Sequence, residues 1–168
     1  MVTTRDVLLF AARHGFALSP SIVDEALASV DQEAMIEAEK ARYEILVWDG
    51  KSDVLGSPPS RFLHDKDAIG RAAVENLASG NAVYFLLRDG QIHHWQPYRA
   101  YTPGHVPMSH DPNHPHHVRK AAQEHLEMEA RHQVRGPILE AAFEAALRLH
   151  EQRGVPVVAT AVPQHRRF

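Results

Sequence analysis

Cysteine is absent from the 168-residue chain, which rules out disulfides, thiolate metal ligands and a thiol nucleophile. Long apolar runs are missing as well: none approaches the roughly 20 residues that a bilayer-crossing helix needs. The first residues do not pair a basic stretch with a cleavable apolar segment, so the expected location is cytoplasmic, with no membrane partner. Nor is there an excess of positive charge. Eighteen Lys and Arg against 21 Asp and Glu give a formal charge of −3, which argues against generic binding to nucleic acid and leaves room only for a local basic patch. The Gly-x-Ser-x-Gly, Walker-type and Gly-x-Gly-x-x-Gly patterns are all lacking, so no nucleotide or dinucleotide cofactor site is expected.

Histidine, by contrast, is abundant, with 13 in the chain. Five of them, His105, His110, His114, His116 and His117, fall in one Pro-punctuated stretch. Neutral imidazole is a common ligand for transition metals and changes charge near neutral pH, so the cluster points to a metal site or a pH-sensitive surface.

The periodicity around this cluster predicts one α+β domain, with a helical section over about 4–42 and a mixed section over about 43–168. Three short helices are expected first. Gly15 closes the first, Ser19 before Pro20 caps the second, and Asp31 caps the third. Tyr43 to Trp48 has strand character, and a helix is expected from Asp65 or Asp67 to near Gly80. Residues 82–96 read as a β-hairpin around Asp89-Gly90, because that dipeptide supplies the positive φ angles of a two-residue turn. Two C-terminal helices follow, separated by a break at Gly136-Pro137. The second of these, Pro137 to Gln152, is expected to cover the hairpin, and a last strand is expected within Val155 to Val162. The sheet is expected to be small and mainly antiparallel.

On the first of those helices, Val118, Ala121, Ala122, His125, Glu129 and His132 share one face at 100° per residue. His125, Glu129 and His132 could offer two nitrogens and one oxygen to a single ion, with open positions for water or substrate. Together with His110 and His117 they form the expected ligand set for a divalent transition metal such as Zn or Ni.

The stretch His105-Val106-Pro107-Met108-Ser109, followed by Asn113 and then His116 or His117, resembles the HNH, or ββα-metal, nuclease pattern. The resemblance covers about thirty residues. It implies that His105 acts as the base that deprotonates water and that Asn113 supports it, while His117 or His125 holds the ion. Gly104 stands where an acidic residue often precedes the first His, the customary glycine pair is missing, and the Asn-to-His intervals differ from the usual one.

Two functions follow from these residues. One is a metal-dependent hydrolase acting on phosphodiesters. The other is a non-catalytic interaction module in which the His-rich loop and the aromatic hairpin, with Trp95, Tyr98 and Tyr101, form a metal- or pH-sensitive partner surface. The sequence does not specify the oligomeric state.

Overall fold

A computed structural model describes residues 1–48, 66–79, 82–98 and 115–159. It is an α+β fold in which the chain's contacts gather into two compact units. One takes residues 1–38 with the chain from 130 onward, and the other takes residues 39–129.

The first unit begins with α1 (Thr4–Arg13), whose N-terminus is closed by a capping box. The Thr3 amide donates to Asp6 Oδ2 at 2.8 Å, and the Asp6 amide donates to Thr3 Oγ1 at 3.3 Å. Two otherwise orphaned donors are thereby satisfied. Gly15, at φ 87°, ends the helix in the left-handed region as its sequence position suggests. A two-residue strand, β1 (Phe16–Ala17), follows and was not anticipated. It pairs antiparallel with β5 (Val158–Ala159); of the last strand expected within Val155 to Val162, residues 155–157 are not in a strand and those beyond Ala159 lie outside the described residues.

Helix α2 (Pro20–Ala28) starts with Pro20 as expected. Ser19 occupies the cap position, but its side chain makes no capping bond; its Oγ pairs with Ser21 Oγ at 3.0 Å instead. The Ser19 amide donates to Nε2 of His150 at 3.2 Å. Helix α3 (Gln32–Lys40) is capped by Asp31, whose Oδ1 accepts from the Ala34 amide at 3.0 Å. Val7, Ala11, Val23, Ala26, Ala142 and Ala146 are fully buried in this unit's core.

The second unit is built on a three-stranded antiparallel sheet in the order β2 (Tyr43–Trp48), β3 (Val83–Arg88), β4 (Gln91–Pro97). The central strand is buried on both faces, which explains the nearly unbroken apolar run Val83-Tyr84-Phe85-Leu86-Leu87. Val83, Phe85 and Leu87 pack with Trp48 and with Ile69 and Ala72 of α4 (Lys66–Ser79). Tyr84 and Leu86 point the other way, toward Val118, Ala122 and Leu126 of α5 (Pro115–Arg153). Each large side chain so buried contributes roughly 1.5–3 kcal/mol. Strands β3 and β4 are joined at Asp89-Gly90, with φ of 54° and 81°, so the expected hairpin is present.

Helix α5 corrects two expectations. It runs without interruption for 39 residues, with Pro137 inside it, where two helices and a break at Gly136-Pro137 were expected. Proline removes a donor and tends to kink a helix, but packing on both sides of it carries this one through. Val134 and Ile138, which flank the Gly-Pro pair, are 6% and 2% exposed in the first unit's core. The sheet of the second unit is covered by Val118, Ala122 and Leu126, and not by the Pro137 to Gln152 stretch, which packs within the first unit. Along α5 every fourth residue from Val118 to His150 is buried. Val118, Ala122 and Leu126 belong to the second unit's core, and Val134, Ile138, Ala142 and Ala146 to the first's.

Candidate functional site

The site grows out of one irregularity in the β3–β4 ladder. Leu86 pairs with His94 while Leu87 pairs with Ile92, so His93 is an extra residue in β4. In a regular strand neighbouring side chains point to opposite faces, and a bulge suspends that rule locally. As a result the consecutive residues His93 and His94 both reach α5. His93 Nε2 donates to Glu129 Oε1 at 3.0 Å, and the His94 ring meets the His125 ring edge-on with centroids 4.6 Å apart.

His125 is further fixed from the central strand. Tyr84 Oη lies 2.7 Å from His125 Nδ1, and the two rings are nearly perpendicular at 87°. Tyr43 of β2 places its ring edge-on to His93 at 5.7 Å; its hydroxyl is buried without a hydrogen-bond partner among the described residues. Each strand of the sheet therefore contributes at least one polar ring to the seam with α5.

The electrostatics follow from this packing. The His125 pKa is lowered, first by burial and then by the neighbouring His94 and His93, with Glu129 acting in the opposite direction. Burial also raises the Tyr84 and Tyr43 hydroxyls above the usual phenol value, with Glu39 adding to the effect at Tyr43. At neutral pH His125 is uncharged and both phenols are protonated. Beside the cluster a cleft of about 840 Å³ is lined by Tyr84, Gln96, Tyr98, Glu124, His125 and Met128. Burial and Glu124 both raise the Tyr98 pKa.

The expected site residues fare differently. His105, His110 and Asn113 lie outside the described residues. His117 is half-buried in the first turn of α5. His125 and Glu129 belong to the cluster, each engaged by a histidine of β4. His132 falls in the other unit, where it borders a cavity with Val2 and Ile36. Among the described residues no group of three or more His, Asp or Glu is arranged to hold an ion.

Sequence reasoning missed His93, His94 and Tyr84. What marks them is the packing of their neighbours. Ile92 and Trp95 both pack against the α4-side core, although their odd spacing would put them on opposite faces of a regular strand. Two strand residues three apart that face the same core imply an inserted residue between them.

No helix among the described residues is long and apolar enough to cross a membrane. No protein-family model, curated protein or solved structure matches the chain.

Proposed function

We propose that the chain is a non-catalytic interaction module whose partner surface is the seam of β4 and α5, governed by the protonation of its imidazole cluster. The observation that carries this reading is the contact of His94 with His125 at 4.6 Å beside an open cleft. Two neutral rings pack well at that distance, whereas two imidazolium ions repel. Among the described residues, the charged and titratable groups acting on His125 are Tyr84 from β3, His93 and His94 from β4, and Glu129 on its own helix. Of these groups Glu129 offsets a gained positive charge, and it already accepts a hydrogen bond from His93. Acidification therefore adds charge at the cleft wall and alters what the surface can bind.

A metal-dependent phosphodiester hydrolase is the second reading. It is favoured by the Tyr84 bond to His125 Nδ1, which orients the ring much as an outer-shell partner orients a metal ligand. In that reading Zn, Ni or a similar ion is held by His110, His117, His125, Glu129 and His132 or a subset of them. His105 and Asn113 then work on the attacking water.

One experiment distinguishes the two readings. Backbone amide NMR spectra are recorded from about pH 8 to about pH 5, the range in which imidazoles titrate, and phosphodiester cleavage is assayed with Zn²⁺, Ni²⁺ or Mn²⁺ added. The module reading predicts shifts concentrated in residues 82–98 and 117–129, lost in His125→Gln, and no cleavage beyond that of the variant. Metal-dependent cleavage that disappears in both His105→Ala and His125→Ala would overturn it in favour of the hydrolase.

A further inference from the structure

The first unit holds a cavity of about 210 Å³ with two chemically distinct parts. Its wall is formed by core side chains: Val2, Ile36, Val134 and Ile138 are between 2% and 6% exposed. Its rim carries Arg131, His132 and Arg135 from α5. Gln32, which also borders it, is committed to the backbone, donating to the Val2 carbonyl and accepting from the Val2 amide, both at 3.0 Å. That bond pair ties the glutamine side chain to the backbone of Val2.

The rim has positive charge to spare. Arg131 and Arg135 are one helical turn apart, a like-charge spacing that costs a helix a few tenths of a kcal/mol. Arg135 is partly balanced by Asp6, at 3.4 Å. Arg131 has no hydrogen-bond or ion-pair partner among the described residues, and neither has His132. An apolar recess opening onto an unbalanced guanidinium complements a molecule with an apolar tail and an anionic head. Its volume lies below the roughly 300–1,000 Å³ of pockets that take drug-sized ligands, so the tail must be of modest length.

We infer that this cavity binds a medium-chain aliphatic carboxylate, with the chain against Val2, Ile36, Val134 and Ile138 and the carboxylate on Arg131. Arginine presents paired N–H donors that match the two oxygens of a carboxylate. The site is independent of the imidazole cluster, because its residues all belong to the other unit. It also gives His132 a place beside an anion.

Isothermal titration of the full chain at neutral pH with octanoate, 1-octanol and acetate tests the inference, with amide NMR locating the site. The expected result is saturable binding of one octanoate, with shifts at residues 1–2, 32–36 and 131–138. Octanol should bind roughly fivefold to tenfold more weakly for want of the charge, and acetate more weakly still for want of the chain. Arg131→Gln keeps most of the side-chain stem and should weaken octanoate by a similar factor while leaving octanol unchanged. Val134→Phe should block both ligands; if that variant fails to fold, Ile36→Met provides the wall substitution. Equal affinity for octanoate and octanol, an unaltered affinity in Arg131→Gln, shifts elsewhere in the chain, or no binding at millimolar octanoate would each overturn it.

Discussion

His94 and His125 stand ring against ring, 4.6 Å between centroids, because one extra residue in β4 turns two consecutive histidines toward the same helix. Tyr84 holds the His125 ring at Nδ1. The arrangement packs closely when the imidazoles are neutral and is strained by their protonation, and this property underlies the pH-responsive reading of the surface.

The stability of the fold should fall as pH falls. The folded-state pKa of His125 is lowered from its ordinary value of 6.5, so the unfolded chain takes up the proton first. The contribution of this residue is thus fully present above about pH 6.5 and is lost progressively as pH drops toward the folded-state value. Urea unfolding across this range should show the decline in the native chain and a flatter profile in His125→Gln. A slope unchanged by the substitution would contradict the assignment.

Tyr84→Phe removes only the hydroxyl that meets His125 Nδ1, in a side chain 3% exposed. The expected loss is about 0.5–1.5 kcal/mol, the usual net value of such a bond. The His125 ring should also become more mobile, which NMR line shapes of its C–H protons can report.

His150 is 1% exposed and works as a structural clamp, since Nδ1–H donates to the Val155 carbonyl and Nε2 accepts from the Ser19 amide, both at 3.2 Å. Replacing it with Leu preserves bulk but strands both backbone groups. A destabilisation of about 1–3 kcal/mol is expected by chemical denaturation.

The Gly136-Pro137 pair weakens α5 without an evident packing reason. Nothing lies within 4 Å of a Cβ built on Gly136, and Pro137 is exposed. Gly136→Ala should stabilise by about 0.5–1 kcal/mol, and Pro137→Ala by up to about 3 kcal/mol by restoring a helix donor. Thermal unfolding measures both.

Much of the fold was legible because local chemistry wrote it. Gly15, Pro20, Asp31 and Asp89-Gly90 each require a particular backbone geometry, and each stands where that geometry occurs. The continuity of α5 was not legible. Glycine followed by proline is a strong local stop, and only the burial of Val134 and Ile138 in a core distant in sequence outweighs it. The four-residue spacing of buried positions also disguised which segment covers the sheet, since a stripe that creeps around the helix resembles a single amphipathic face over short windows.

The candidate site was half legible. His125 and Glu129 were selected by their shared helical face, and both take part in the cluster. His132 was selected on the same geometry, and it lines the cavity bordered by Val2 and Ile36. His93 and His94 escaped notice because strict alternation allows only one of them to face α5, and a bulge is a property of the pairing between strands.

The most direct test is a histidine-resolved NMR titration of His125 in the native chain and in His94→Gln. The account predicts a His125 midpoint below the ordinary imidazole value, rising toward it when the neighbouring ring loses its capacity for charge. A His125 that titrates at about 6.5 in both proteins, as a free imidazole would, would contradict the coupling on which the proposed surface depends.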